Sequence, residues 1–147
     1  LEAERGYHVE LWHPSAMPKT PLMVAAGKFV ITPMKDRIRL AGIVEFGGLK
    51  AAASEAPFNL LMHNVRQYMP DLKWGEETRW MGHRPAPTDS IPVIGDVPGI
   101  KGVFMGFGHH HVGLTGGPKT GQLLAMLASD IQPNMDLSAY DMRRFSR

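Results

Sequence analysis

The segment that decides the fold class runs from residue 29 to residue 46: Phe29-Val-Ile-Thr-Pro-Met34, then Lys35-Asp36, then Arg37-Ile-Arg-Leu-Ala-Gly-Ile-Val-Glu-Phe46. Two runs with the composition of β-strands flank a polar turn of two residues. Such a short turn can join only antiparallel strands, because a parallel pair needs a long crossover connection. The segment therefore predicts an antiparallel hairpin.

Further strands are predicted on both sides of this hairpin. Residues 6–12 alternate between apolar and polar side chains, and residues 21–26 form an apolar run before the turn at Gly27-Lys28. Shorter strands are expected at residues 76–82, 91–94 and 103–105. The first four strands have the spacing of an antiparallel meander.

Two long helices complete the predicted fold. The first follows Ser54, a residue type that caps helices, and ends before Pro70. The second is expected over residues 115–128, and a short helix over residues 139–145. The pattern predicts an α+β fold, in which a mainly antiparallel sheet packs against two long helices.

Composition and charge exclude several classes of function. The 147 residues are 44% apolar and 20% charged, as in an ordinary globular domain. The net charge of +2, from 16 basic and 14 acidic residues, argues against a nucleic-acid-binding surface. The chain has no cysteine, which excludes disulfides and cysteine-based metal or redox chemistry.

Three well-known motifs are present only in part. Gly106-x-Gly108-x-x-His111 has a histidine where a dinucleotide fingerprint needs its third glycine. The run from Gly113 to Thr120 resembles a phosphate-binding loop, but Pro118 has no N–H to offer a phosphate. The side chains of His109-His-His111 diverge, and no cysteine or spaced His/Glu pair completes a tetrahedral set, so we assign no metal ligands.

A set of short motifs in a fixed order carries a family resemblance. The set consists of Arg5-Gly-Tyr7-His8, Phe29-Val-Ile-Thr-Pro-Met34 with Arg39-Leu-Ala-Gly and Glu45-Phe-Gly-Gly48, Trp80-x-Gly82-x-Arg84-Pro85, Asp89-Ser-Ile-Pro-Val-Ile-Gly95, Gly108-His109 with Val112-Gly-Leu-Thr-Gly-Gly-Pro118, and Arg144-Phe145. In this order the motifs resemble the C-terminal part of the D-amino-acid oxidase-like FAD-dependent oxidoreductases, and among them the bacterial D-amino acid dehydrogenases. The resemblance covers nearly the whole chain.

The resemblance implies FAD as the cofactor and a division of the chain. In this family an FAD-binding Rossmann half precedes the matching region, so we expect the missing half to be supplied in cis or in trans. Residues 1–90 are then the antiparallel substrate-binding part, and residues 91–147 the C-terminal FAD-contacting segment with its helices. The chain alone is expected to be inactive.

The reaction implied for the full-length protein is oxidation of D-amino acids or similar amines to imines, which water converts to 2-oxo acids. Its partners would be a small amino acid or amine and an electron acceptor, and a membrane-bound acceptor is one of the alternatives. The expected location is the cytoplasm, with association with the inner face of the bacterial membrane left open.

Three side chains are candidates for binding the substrate. A guanidinium binds a carboxylate through two parallel hydrogen bonds, and the resemblance assigns this role to Arg84. The alternative is a structural ion pair of Arg84 with Asp89 or Glu76. Tyr7 could hydrogen-bond the same carboxylate or close the pocket, or else pack in the core. His109 could contact substrate or flavin, or have a structural role.

Four residues are candidates for binding the cofactor: Gly108, Gly113, Leu114 and Thr115. The last three open the second helix, where N–H groups could hold the negative charge that gathers on the pyrimidine edge of the flavin. The alternative for Thr115 is a plain N-cap. No catalytic residue is assigned, because the flavin itself performs the redox chemistry. Trp80 and Met81 are expected to pack in the core.

Two other functions remain open. The chain could be a non-catalytic carboxylate-binding module without flavin. It could also be one subunit of a split flavoenzyme whose partner supplies the Rossmann half, which predicts a large apolar surface on this chain.

Overall fold

In the computed structural model, which describes residues 1–146, the chain divides into two compact units. The sheet unit comprises residues 3–83, and the hairpin unit comprises residues 1–2 and the chain from Arg84 onward. A mainly antiparallel sheet and two α-helices are present, which confirms the predicted fold class.

The main sheet has five strands, in the order β2-β3-β4-β1-β5. They are β1 (Glu2–Trp12), β2 (Leu22–Val24), β3 (Phe29–Met34), β4 (Arg37–Phe46) and β5 (Glu76–Ala86). The predicted hairpin is confirmed, because β3 and β4 pair antiparallel with Met34 opposite Arg37. β1 begins earlier than predicted, since β4 pairs with it as far as Glu4. β5 extends beyond residue 82, so the Arg84-Pro85 motif lies within a strand.

A bulge interrupts the pairing of β1 with β4. Tyr7 lies opposite Ile43 and His8 opposite Ala41, so Gly42 is the extra residue. Gly42 has a φ of +135°, and a Cβ there would come within 2.8 Å of the carbonyl oxygen of Lys28. Glycine meets both constraints, because it tolerates positive φ and has no side chain. The bulge reverses the alternation of β4, so that residues 43 and 45 take the face that residues 38 and 40 occupy before it.

The core of the sheet unit lies between the sheet and α1 (Glu55–Tyr68). Its buried apolar residues are Tyr7, Val9, Leu11, Phe29, Ile31, Ile38, Leu40, Phe58, Leu61, Met62, Val65 and Leu72. Ser54 occupies the predicted N-cap position, but its side chain makes no capping hydrogen bond. Its backbone N–H donates instead to the Tyr7 hydroxyl, at 3.2 Å.

The hairpin unit contains a two-stranded antiparallel sheet and the second helix. Its elements are β6 (Val93–Asp96), β7 (Phe104–Phe107), a 3-10 helix (His110–Val112), α2 (Gly113–Ala128) and two more 3-10 helices (Ser138–Tyr140 and Met142–Phe145). The short C-terminal helix predicted over residues 139–145 is therefore replaced by two 3-10 turns. Asp141 separates the two turns with an extended backbone and accepts a hydrogen bond from the N–H of Arg143.

α2 begins two residues earlier than predicted, because the 3-10 helix leads directly into it. Val112 occupies the N-cap position and Thr115 lies inside the first turn, so the N-cap interpretation of Thr115 is wrong. α2 also packs closely on β7. A Cβ at Gly106 would lie 2.7 Å from Cγ2 of Thr120 and 2.8 Å from Cδ1 of Leu124. Within residues 1–146, no helix has the length and apolar character needed to cross a membrane.

Candidate functional site

Arg84 lies near the end of β5 and is partly exposed. Pro85 follows it within the strand, so the position after the arginine has no N–H to give to a neighbouring strand. Asp89, one of the two carboxylates considered as its partner, is bound by Arg144 through Nε to Oδ2 at 2.6 Å and Nη2 to Oδ1 at 3.2 Å. The role of Arg84 in carboxylate binding stays a prediction.

The pair of Arg144 and Asp89 organises the hairpin unit, and sequence reasoning missed it. Arg144 also donates to the carbonyl of Ile91 at 2.6 Å, and the N–H of Ile91 donates to Asp89 at 3.1 Å. Hydrogen bonds from Arg144 lower the pKa of Asp89. The only signal in the sequence was the presence of both residues in the ordered motif set, since 55 positions separate them.

Tyr7 is buried in the core of the sheet unit, with 2% of its surface exposed. Its ring packs edge-on against Phe58, with centroids 5.0 Å apart. Its hydroxyl donates to Oε2 of Glu45 at 2.6 Å and accepts from the N–H of Ser54. Hydrogen bonds from Ser54, Tyr7 and Arg5 lower the pKa of Glu45. These contacts are those of a core tyrosine, and its role in substrate binding stays a prediction.

His109 is held against α2. Its Nε2 lies 2.7 Å from the hydroxyl of Thr120, which is buried. A Cβ at Gly116 would approach the imidazole Cδ2 to 3.1 Å, so the glycine leaves room for the ring. These contacts fix the imidazole at the start of the helix, and its contact with substrate or flavin stays a prediction.

Gly108 forms the sharp turn between β7 and the first 3-10 helix. Its φ is +83°, and a Cβ would lie 2.5 Å from Cγ of Pro87. Both the backbone conformation and the close approach of Pro87 require glycine here.

The first turn of α2 is exposed to solvent on one side. Leu114 is 96% exposed, and a Cβ added at Gly117 would meet no atom within 4 Å. The first turn contains no acidic residue, so the partial positive charge of the helix N-terminus is not neutralised locally. A helix start of this kind could hold the electron-rich pyrimidine edge of a flavin, and the role of Gly113, Leu114 and Thr115 in cofactor binding stays a prediction.

Trp80 was expected in the core, but 54% of its surface is exposed. Its ring stacks on His8 with centroids 4.8 Å apart and planes 16° apart. Met81, by contrast, packs against the core as expected. The available signal was strand alternation, which places neighbouring positions of β5 on opposite faces.

Comparison with known sequences identifies the family. Residues 1–127 match the family described as FAD dependent oxidoreductase, or DAO. The D-amino-acid oxidase of Bradyrhizobium diazoefficiens is 36% identical over 99% of this chain and 35% of its own length. The D-amino acid dehydrogenase of Allorhizobium ampelinum is 31% identical over 97% of this chain and 34% of its own length. The chain thus spans about a third of the length of these relatives.

Solved structures show the same fold. Glycine oxidase from Geobacillus kaustophilus matches with a TM-score of 0.83 and 25% identity, over 97% of this chain and 39% of its own. L-proline dehydrogenase from P. horikoshii matches with a TM-score of 0.78, over 99% of this chain and 40% of its own, and at 16% identity it supports the fold alone. Because the family match extends over most of its length, this chain belongs to the DAO family of FAD dependent oxidoreductases.

Proposed function

We propose that this chain supplies the substrate-binding part and the last FAD-contacting segment of an oxidoreductase that acts on D-amino acids or similar amines. The division into a substrate-binding part over residues 1–90 and an FAD-contacting part over residues 91–147 belongs to this proposal. The names of two relatives, a D-amino-acid oxidase and a D-amino acid dehydrogenase, support the substrate class.

The observation that carries the proposal is the open start of α2. Its first turn has no acidic residue, and Leu114 projects almost wholly into solvent. Backbone N–H groups at a helix N-terminus favour negative charge placed before them. In the proposed arrangement, the N–H groups of Gly113, Leu114 and Thr115 face the pyrimidine edge of the flavin, and Gly108 gives the chain the turn that brings them there.

The roles of the side chains follow from their chemistry. When bound, FAD accepts a hydride from the α-carbon of the substrate. Arg84 holds the substrate carboxylate in a two-point hydrogen bond, which orients the α-carbon. His109 is proposed as a further contact, to substrate or flavin. For Tyr7, burial in the core and the hydrogen bond that its hydroxyl donates to Glu45 favour the alternative of a packing role. The product imine is hydrolysed by water to a 2-oxo acid.

A second candidate arrangement is a split flavoenzyme, in which another chain supplies the Rossmann half. Several large apolar side chains are exposed, among them Phe46 at 70%, Leu49 at 71% and Leu114 at 96%. Exposed apolar side chains of this size favour coverage by further protein, in cis or in trans. The proposed location is the cytoplasm, with docking at the inner membrane face if the electron acceptor is membrane-bound.

The test starts from the coding DNA upstream of Leu1. The complete reading frame is expressed, and the purified protein is examined for bound flavin by its visible absorbance. We expect D-amino acids to bleach this absorbance under anaerobic conditions, and a dye or oxygen to restore it. A flavin that no D-amino acid or related amine reduces would contradict the proposal.

A flavin titration of the 147-residue chain separates the remaining alternatives. Tight binding of FAD by this chain alone argues against a module without flavin. If the reading frame contains no Rossmann half, co-expression with candidate partner chains tests the split arrangement, and flavin should then appear only in the co-purified complex.

A further inference from the structure

One face of the main sheet is turned away from α1 and carries aromatic and charged side chains. We call it the outer face, and it is formed by His8, Glu10 and Trp12 of β1, Arg37 and Arg39 of β4, and Thr78 and Trp80 of β5. The strand neighbours of these residues, such as Val9 and Ile38, are buried in the core on the opposite face. A hydrogen bond of 3.2 Å from Nε1 of Trp12 to the hydroxyl of Thr78 links β1 to β5 across this face.

Most polar groups of the outer face bind one another. Glu10 accepts hydrogen bonds from Nε and Nη2 of Arg39, both at 3.0 Å, and lies 2.9 Å from Nε of Arg37. The guanidinium of Arg37 also lies over the Trp12 ring, 4.6 Å from its centroid. The charged end of the outer face is therefore occupied by its own contacts.

The Trp80 ring is the exposed part of the outer face, and two residues fix its orientation. One side of the ring stacks on His8. Gly82 leaves room for the other side of this ring, because a Cβ at that position would collide with the six-membered ring of Trp80. The indole therefore leans along β5 over a position that has no side chain, while more than half of its surface stays exposed. A large aromatic side chain that is exposed yet fixed in orientation is suited to contact a ligand.

The position of Trp80 and Gly82 in the sequence connects the ring to the substrate. Only one residue separates Gly82 from Arg84, and the proposed function assigns Arg84 to the substrate carboxylate. In an α-amino acid the side chain begins one bond away from the carbon that bears the carboxylate. A group that covers Gly82 is thus placed to meet the substrate side chain.

This inference rests on the proposed function. We propose that the substrate side chain packs on the Trp80 ring, which His8 and Gly82 hold in place. The ring then selects for substrates with flat aromatic side chains. His8 is a positioning residue in this arrangement. An aromatic substituent gains from stacking on indole beyond its apolar area, whereas a small or saturated substituent lacks this gain. The competing explanation for the exposed ring is that Trp80 packs against the FAD-binding half.

The test compares D-phenylalanine, D-alanine and D-cyclohexylalanine as substrates of the flavin-containing, full-length protein. In the wild type we expect kcat/KM to be highest for D-phenylalanine. In Trp80→Leu the ratio of kcat/KM for D-phenylalanine to that for D-alanine should fall roughly three- to tenfold. Trp80→Phe should retain much of the ratio, because the phenyl ring still stacks. D-cyclohexylalanine separates stacking from simple burial, since its ring is bulky and apolar but not aromatic.

Tyr68→Leu is the matched control, because Tyr68 is an aromatic residue of α1 with 45% of its surface exposed. It lies on the side of the sheet opposite the outer face, so its removal should leave the substrate ratio unchanged. Tryptophan fluorescence with 3-phenylpropanoate gives a binding readout that does not depend on turnover, because this carboxylate carries the aromatic ring but no amine to oxidise. It should quench the wild type and quench Trp80→Leu much less.

The outcomes separate this inference from the proposed function. If D-amino acids reduce the flavin but Trp80→Leu leaves both the substrate ratio and the quenching unchanged, the selectivity proposal is wrong and the proposed function stands. A loss of bound flavin in Trp80→Leu without a change in the ratio would support packing against the FAD-binding half and overturn the inference. If no D-amino acid reduces the wild-type flavin, the proposed function fails, and equal quenching by 3-phenylpropanoate in both proteins would overturn the inference as well.

Discussion

Nη1 of Arg5 lies 3.3 Å from Oε2 of Glu45, in an ion pair that joins β1 to the end of β4. Arg5 exposes only 1% of its surface. Its remaining donors bind the backbone carbonyls of Gly47, Gly48, Ala51 and Ala52 at 2.7–3.1 Å. One buried guanidinium therefore holds the loop that leads from β4 to α1.

Arg5→Lys is expected to lower the free energy of unfolding by about 2–5 kcal/mol, because an ammonium has three donors and cannot reach all five acceptor contacts, which leaves buried carbonyls unsatisfied. Urea denaturation followed by circular dichroism measures the change. Arg66→Lys is the control, since Arg66 is exposed on α1 and lies over the Trp74 ring, a contact worth no more than about 1 kcal/mol. Equal losses of unfolding free energy in the two variants would show that the buried hydrogen bonds of Arg5 contribute no more than the exposed contact of Arg66.

His8 should make the stability of the sheet unit depend on pH. Burial lowers the pKa of His8 below its ordinary 6.5, and the charge of Arg39 lowers it further. The unfolded chain then binds a proton more readily than the folded one, so stability is fully present above about pH 6.5 and is lost as pH falls through the folded pKa. We expect the urea midpoint to fall from pH 7 to pH 5, and to fall less in His8→Asn. An identical fall in the variant would assign the effect to other groups.

Gly108→Ala and Gly102→Ala form a matched pair in the hairpin unit. Both glycines have positive φ, +83° and +79°, so alanine is strained by roughly 1–2 kcal/mol at either position. Only at Gly108 would the Cβ also strike Pro87, whereas at Gly102 it meets no atom within 4 Å. Thermal unfolding should therefore show a larger loss for Gly108→Ala. Equal losses in the two variants would mean that Pro87 moves aside at little cost.

Arg84→Lys in the full-length protein is expected to raise KM for the D-amino acid about 10- to 100-fold, because a point charge cannot replace a two-point hydrogen bond. The flavin absorbance and the unfolding midpoint should change little, which separates substrate binding from a structural role. Unchanged steady-state kinetics in this variant would remove Arg84 from the site.

Gly113→Val tests the start of α2. A Cβ at Gly113 makes only an ordinary contact of 3.5 Å with Cβ of His109, so the fold should tolerate a side chain there. We expect the full-length variant to lose bound flavin or to retain it with a slower rate of reduction, because the valine would project toward the proposed flavin edge. Gly121→Val is the control: it lies two turns further along α2, where a Cβ meets nothing within 4 Å. Flavin content equal to wild type in both variants would argue against this helix end as a cofactor site.

The candidate site residues were chosen from residue types and motif order, and whether they bind substrate or flavin stays a prediction. The Gly-x-Arg-Pro motif, the glycines around residue 108 and the opening of the second helix are all local patterns, and the structure places them on a strand, a tight turn and a helix start. The environment of Tyr7 could not be predicted from the sequence, because its partners Glu45 and Ser54 are 38 and 47 positions away. Trp80 was misplaced because its large apolar ring suggested burial, whereas strand alternation puts it on the outer face.

The sequence by itself determined the strands around the Lys35-Asp36 turn, the two amphipathic helices and the family. These depend on local periodicity, turn chemistry and motif order, which act over a few residues at a time. Only the tertiary structure decided which face Glu45 takes. Simple alternation along β4 would put residue 45 on the same face as Arg37 and Arg39, but the bulge at Gly42 moves it to the face of Arg5 and Tyr7. A glycine within a strand hints at a bulge. Its position was set by the close approach of Lys28 and Phe29 on β3 and the turn before it, and that contact exists only once the strands have paired.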